Sequence, residues 1–542
     1  MRTKVPGWLG GAAAALALLL SLLTWAFASP VGSAPDDDSH LSNIYCLHDS
    51  STCRSQYWTS NWTAPYWPPI PADRKWGRDW VGLKRVYGDL WQYEQARKLP
   101  CYVLNGSTWY APDVSVPATC LNDEDPTDNF AASVDRLEYY PNLYYRFLSL
   151  FTGDTLRESV ATWRVLNVLT ATLMMSGALL LTARRYRRAV AVGSLIASMP
   201  MGLFLVSSIN PSSWLLIGSA AFLGPAVTVL RDRDSPRLLA ARIAFLVICL
   251  LMIVAGRTEG VAIAGLLVLV VLLIGLKAPK AVYAGLSAAV ALIALIGVLI
   301  LTRNDSVKIG LNLDWLRNGL TAPGQWDALM TVPDFFFGSA AHRLGWLEIV
   351  PPPAAVIATN AAFWGTVILG LAVMFWRKAI ALVVVVGVLL MVPATLLAGG
   401  NPAQPTRYFL PLVFALAFIA LVPDWGRVLP HWSTAQWLAL GGALAVANSL
   451  SLLYLTVRYV SGINPGTTNP RGLSATPTPD WWWGAWLGPF ANWLLGSLAF
   501  ALTVGLLFSL RTIRDGSEDR AGPDRAVEPP PSGPPVPLPK PG

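Results

Sequence analysis

An all-α integral membrane protein of about 12 transmembrane helices is the fold that three observations predict. The 542-residue chain is 54% hydrophobic and only 13% charged, with a mean hydropathy of +0.47, whereas a soluble chain carries roughly a quarter charged residues. Apolar runs of about 18 residues or more recur along it, each long enough to cross a bilayer as a helix. Lysine and arginine gather at the ends of these runs in alternate connections, as orientation in a membrane requires. That distribution accounts for the net charge of +8. No basic stripe interleaved with stacking aromatics points to a nucleic-acid partner.

The first run, 8–28, follows Arg2 and Lys4. Ala26-Phe27-Ala28 imitates a signal-peptidase site, but the run is long for a cleaved signal, so residues 1–28 are expected to stay as a signal anchor. Residues 29–160 form a large polar external loop. Residues 161–302 hold helices 2–7, in runs at about 162–182, 189–208, 213–230, 238–256, 259–276 and 279–301. The basic stop Arg184-Arg185-Tyr186-Arg187-Arg188 marks the cytoplasmic side. A second external loop spans 303–351, helices 8–11 occupy 352–457, a third external loop covers 458–485, and helix 12 is 486–509. The tail 510–542 is charged and then proline-rich, which predicts a disordered, polyproline-like extension. Both termini then lie in the cytoplasm, and the Ala-, Leu-, Val- and Arg-rich composition fits a bacterial cytoplasmic membrane.

Four of the five cysteines, Cys46, Cys53, Cys101 and Cys120, fall in the first external loop. Two disulfides in an oxidising compartment are expected, with three connectivities open. Cys249, inside an apolar run, reads as a small core hydrophobe.

Polar chemistry concentrates on the predicted outer side. In Pro35-Asp36-Asp37-Asp38-Ser39-His40, a helix beginning near Asp36 places Asp36, Asp37 and His40 on one face. That face can hold a hard divalent cation such as Mg or Mn, or offer one carboxylate as a general base. It can also be a helix cap, with acids in the first turn favouring the dipole. Tyr139-Tyr140-Pro141-Asn142-Leu143-Tyr144-Tyr145 lines either a sugar or phosphate site or an interfacial aromatic belt. Phe337-Gly338 through His342, Arg343, Gly345-Trp346-Leu347 and Glu348 fits headgroup contact or an amphipathic surface helix. Arg407-Tyr408, at the outer start of a span, suits bidentate phosphate recognition or plain snorkelling. Arg257 and Glu259 read as an ion pair, and Trp481-Trp482-Trp483 as an interface anchor. No charged residue lies near the centre of a run except Arg164, close to the start of the second, whereas coupled transporters keep ionisable groups at mid-membrane.

Taken in order, these motifs resemble a family of uncharacterised bacterial multi-pass membrane proteins and, beyond it, the GT-C glycosyltransferases. The family pattern Pro-Asp-Glu-x-x-His stands here as Pro35-Asp36-Asp37-Asp38-Ser39-His40, and Pro-Pro-Leu-Tyr-Tyr as Pro141-Asn142-Leu143-Tyr144-Tyr145. Phe-Gly…Gly-Trp-Leu appears at Phe337-Gly338…Gly345-Trp346-Leu347, and Gly-Arg-Tyr-Phe-Leu-Pro at Thr406-Arg407-Tyr408-Phe409-Leu410-Pro411. The resemblance implies a GT-C-like fold and inverting sugar transfer from a polyprenyl-phosphate donor to an envelope glycan, lipid or protein acceptor. It makes Asp36 the catalytic carboxylate with Asp37 as its partner. His40, Tyr140, Tyr144, Tyr145, His342, Arg343, Trp346, Arg407 and Tyr408 become donor- and substrate-binding residues, and Asp36, Asp37 and His40 a metal set. The competing expectations are a flippase for lipid-linked saccharide and a non-catalytic envelope assembly protein.

Overall fold

A computed structural model describes residues 7–48, 118, 140–232, 235–276, 325–398, 406–424, 431–463, 483, 487–510 and 513. Among these the chain is helical, with one isolated antiparallel bridge, Leu344 to Ile349, and no strand. In chain order the helices are α1 Gly7–Phe27, α2 Asp37–His48, α3 Leu143–Ser149, α4 Leu156–Leu181, α5 Arg184–Ala197, α6 Met201–Val206, α7 Ser212–Arg231, α8 Pro236–Gly256, α9 Gly260–Gly275, α10 Gln325–Phe337, α11 Pro353–Leu371, α12 Trp376–Ala398, α13 Leu410–Leu421, α14 Thr434–Ser461 and α15 Pro489–Ser509.

Eight of them are long and apolar enough to cross a bilayer: α1, α4, α7, α8, α11, α12, α14 and α15. Two predicted spans are shorter apolar helices, α9 and α13 with its leading turn. The run 189–208 is not one helix; it breaks at Ser198-Met199-Pro200 into α5 and α6, because proline lacks the N–H needed to continue the ladder. The predicted span 279–301, the proline-rich tail and most of the first loop lie outside the described residues, as do Cys53, Cys101 and Cys120 and hence the predicted disulfides.

Local signals set the helix starts. The Thr155 side chain accepts from Glu158 N at α4, and Ser235 caps α8 with Pro236 in its first turn. Ser433 and Gln436 form a capping box at α14. The bundle closes around α7, whose apolar window is 89% buried against 28–44% for the other seven spans. α7 lies along α8, α1 along α15, α14 between α11 and α15, and α5 against α13. Small residues allow the closest approaches: a Cβ on Gly218 of α7 would sit 2.8 Å from the Cys249 carbonyl on α8. Cys249 is a buried free thiol, as a core hydrophobe should be. Leu173, Leu180, Ile357, Val383 and Leu438 point outward, the arrangement a hydrocarbon solvent permits.

Buried cations finish helix ends with carbonyl contacts. Lys378 Nζ donates to the Gly370, Val373 and Ala420 carbonyls at 2.7, 2.9 and 2.5 Å. Arg231 holds the Ile274 and Pro423 carbonyls, and Arg188 holds that of Ile513. These cations satisfy backbone groups that water cannot reach in a membrane.

Candidate functional site

The connection from α1 to α2, residues 28–36, is a strap pinned through its own carbonyls. Arg164 of α4 is fully buried and donates Nη1 to Ala26 O and Ser29 O, and Nη2 to Pro30 O, each at 2.7 Å. Trp346 Nε1 reaches Gly32 O at 2.7 Å, Tyr459 OH reaches Ser33 O at 3.3 Å, and Asn210 Nδ2 reaches Pro35 O at 3.1 Å. Trp483 Nε1 adds a second bond to Ser29 O at 3.1 Å and packs edge-on against Phe27. Side chains from five distant parts of the chain therefore fix one short loop.

At the end of that strap stands Asp36. Its φ is +64°, a left-handed conformation uncommon for a residue with a side chain, and its carbonyl accepts from Ser39 N and His40 N to open α2. The helix thus begins at Asp37, with Asp36 outside it at the cap. The Asp36 carboxylate turns to Arg407, with Oδ2 2.8 Å from Nη2; its side chain is 22% exposed and that of Arg407 3%. Asp37 is buried and turns back, Oδ2 accepting from Ala34 N at 2.9 Å. His40 is buried and shares a 2.9 Å hydrogen bond between Nδ1 and Tyr145 OH, with Tyr140 edge-on to its ring. Among the described residues no three His, Cys, Asp or Glu side chains converge as metal ligands.

Tyr140, Tyr144 and Tyr145 form one aromatic wall with Trp214. Asn167 Nδ2 donates to Tyr144 OH at 3.0 Å, and burial pushes both the Tyr144 and Tyr145 hydroxyls well above their ordinary pKa, so both stay protonated. Arg257 stacks over Tyr408 at 3.9 Å and Tyr140 at 5.3 Å while Nε binds Glu259 at 2.5 Å, the expected ion pair. Arg407 lies over Tyr408 too, 5.1 Å from the ring centre. Its Nε and Nη1 are buried with no hydrogen-bond partner.

On the other side of the strap, the segment 339–349 is not an amphipathic helix. A 3-10 turn, Ser339–His342, leads into a tight hairpin closed by Leu344 N to Ile349 O at 2.9 Å and the reverse bond at 3.2 Å. Gly345 at φ +63° and Leu347 at φ +70° make this turn possible, and a Cβ on Gly345 would press on Glu348 Oε2 and Tyr459 OH, 2.6 and 2.7 Å away. Trp346 of the hairpin pins Gly32, whereas Arg343 is exposed and reaches only Leu347 O at 3.5 Å. The His342 turn packs against the turn Thr406–Phe409, which carries Arg407. Burial lowers the His342 pKa to about 4, so its imidazole is neutral at physiological pH.

Glu348, at the end of the same turn, sits 3.6 Å from Arg458 Nε and 3.5 Å from Tyr459 OH, with Oε2 lacking a partner. Burial pushes its carboxyl up to about 7, against the opposing pull of Arg458. The folded state then holds this proton more tightly than the unfolded chain between about 4.5 and 7. Stability from this group is present at acid pH and lost as pH rises through 7, on the order of 3 kcal/mol in all. Thermal unfolding of wild type should weaken from pH 5 to pH 8, and Glu348→Gln should flatten that slope. Equal slopes in both proteins would remove the assignment.

The motifs therefore converge in two groups: Asp36, Arg407, Tyr408 and Tyr140 with Arg257, and the strap with Trp346. Arg164, Asn210, Arg458 and Tyr459 complete the site without any motif to announce them. No curated protein and no solved structure matches this chain. A family model described as "Predicted membrane protein (DUF2142)" matches residues 19–416, covering Asp36, the tyrosine wall, the hairpin and Arg407, and the chain belongs to that family.

Proposed function

We propose that this protein is an inverting membrane glycosyltransferase that takes a sugar from a polyprenyl-phosphate donor and passes it to an envelope acceptor on the outer face of the cytoplasmic membrane. The observation that supports this reading most is the Asp36–Arg407 pair. A partly exposed carboxylate is held in a left-handed conformation beside a buried guanidinium with two unsatisfied nitrogens. Leaving such buried donors unmet costs about 1–3 kcal/mol each, more for a charged group, and a bound anion removes that penalty. A donor phosphate is an anion of the right kind, and an arginine is the side chain that grips it best.

In the reaction, the acceptor hydroxyl attacks the anomeric carbon from the face opposite the phosphate. Asp36 takes the hydroxyl proton as the new C–O bond forms, and the bond from carbon to phosphate oxygen breaks with its electron pair going to phosphate. Arg407 meets the charge that develops there. Phosphate is a good enough leaving group that no general acid is required. Asp37, His40 and the tyrosine wall hold the strap and α2 in place, and Tyr408, with Arg257 stacked on it, orients Arg407. A flippase has less support, since the buried cations Arg164 and Lys378 bind backbone carbonyls instead of lining a path.

The test is turnover of lipid-linked sugars by the purified protein. Arg407→Gln should raise the KM for the donor about tenfold to a hundredfold, the loss of a charged hydrogen bond, with Arg407→Lys between the two. Chelation with EDTA should leave turnover unchanged, because no three acidic or histidine side chains converge as metal ligands among the described residues. Wild-type donor affinity in Arg407→Gln would sink the phosphate role of this arginine.

A further inference from the structure

The strap that ends in Asp36 shares a hydrogen-bond donor with a buried acid. Tyr459 of α14 is fully buried, and its hydroxyl lies 3.3 Å from Ser33 O of the strap and 3.5 Å from Glu348 Oε1 of the hairpin. A phenol carries one hydrogen, so a strong bond to one acceptor weakens the bond to the other. The hairpin backbone brings these groups together. Gly345, at φ +63°, has no Cβ, and one there would press on Glu348 and on the Tyr459 oxygen alike. The neighbouring strap carbonyl, Gly32 O, takes its hydrogen bond from Trp346 of the same hairpin. Two successive strap carbonyls are therefore held from this corner of the molecule.

The charge on Glu348 decides which acceptor wins. A carboxylate accepts a charge-assisted bond about twice as strong as a neutral one, whereas a carboxylic acid competes only as another neutral oxygen. The surroundings allow both forms. The Glu348 side chain is 3% exposed, its Oε2 has no partner, and burial raises its carboxyl to about 7. Facing it from α14 are Arg458, whose Nε stands 3.6 Å from Oε1, and Tyr459. Strap residues 28–35 bring no titratable group. On the hairpin itself, Arg343 is exposed and turns to the Leu347 carbonyl, and His342 bonds to Asn360.

We propose that Glu348 and Tyr459 form a proton-controlled latch on the strap. With Glu348 protonated, Tyr459 donates to Ser33 O and the strap aims Asp36; with Glu348 ionised, the hydroxyl turns to the carboxylate and the strap loosens. Both are positioning residues that act through the backbone, and their effect on turnover rests on the transferase reading above. The latch itself does not. Hydrogen exchange of the full chain in nanodiscs reads it without any turnover. Exchange of the strap amides, corrected for the intrinsic effect of pH, should be about fivefold faster at pH 8 than at pH 5, the loss of one hydrogen bond. Glu348→Gln cannot ionise and should exchange alike at both. Tyr459→Phe should exchange about fivefold faster than wild type at pH 5 and no faster at pH 8, although its Glu348 still titrates. With lipid-linked sugar, wild-type kcat should fall about fivefold over the same range while KM holds, and Glu348→Gln should keep the acid-side kcat. Strap exchange that ignores pH in wild type, or a pH response that survives in Tyr459→Phe, overturns the latch. A level kcat beside a pH-dependent strap overturns its link to Asp36. Absence of any transfer beside the expected exchange response counts against the transferase reading and leaves the latch standing.

Discussion

Asp36→Asn is expected to reduce sugar transfer by about a hundredfold to ten-thousandfold, the range a general base contributes. The substitution isolates charge from fold. Asp36 has φ +64°, and asparagine is the residue other than glycine that accepts this conformation most readily. Its amide oxygen can still accept from Arg407 Nη2, so the turn into α2 and the contact 371 residues away in sequence are both kept. Asp37→Asn should differ sharply. Asp37 is buried and accepts from Ala34 N through one oxygen, which an amide oxygen replaces, so turnover should stay near wild type. The readout is the envelope glycan profile of a deletion strain carrying each variant, beside thermal unfolding of the purified proteins. Full activity in Asp36→Asn, with the protein folded, removes the catalytic assignment. Lost partner binding in place of lost transfer would favour an assembly role.

Some of this site is legible before any coordinates. The four motifs each carry an aromatic or charged residue at the predicted outer end of a span, and there Asp36, Tyr140 and Arg407 gather while Trp346 holds the strap that leads to Asp36. The apolar runs announce their helices because about 20 residues must be hydrocarbon-soluble together. Other features leave no such trace. Asp36 could be named from its motif, but its left-handed φ could not, since Pro-Asp-Asp-Asp is equally compatible with an ordinary cap. Leu347 at φ +70° is likewise invisible, and with it the hairpin that stands where a surface helix is one of two readings of the sequence. The break at Pro200 was readable in principle, yet the run around it is apolar throughout and masks the interruption.

Arg164 shows why the remainder was hidden. It is visible as a charge inside the second run, but its partners are carbonyls, and every residue type supplies a carbonyl. No spacing or composition marks the Ala26, Ser29 and Pro30 oxygens as its targets. The same holds for Asn210, Tyr459 and Trp483, which also bind the strap through its backbone. Motifs describe side chains; this strap is held by backbone.

The consequence is a second large effect. Arg164→Met keeps the length and apolar stem of the side chain but leaves the Ala26, Ser29 and Pro30 carbonyls buried without this donor. At about 1–3 kcal/mol for each carbonyl, destabilisation of about 3 kcal/mol or more is expected. Relief from burying a cation offsets part of this, so the loss should be smaller than three full penalties. Arg164→Lys should fall between, because one ammonium keeps charge and donors but cannot span the Ala26-to-Pro30 arc as a planar fork does. Thermal unfolding in detergent measures the effect, and an Arg164→Met protein as stable as wild type would show that the strap holds without it. Transfer should fall in this variant even though Asp36 and Arg407 are unchanged, because the strap that aims Asp36 is loosened. That pattern, stability and activity lost together in Arg164→Met but activity alone in Asp36→Asn, separates the residue that positions the carboxylate from the carboxylate itself.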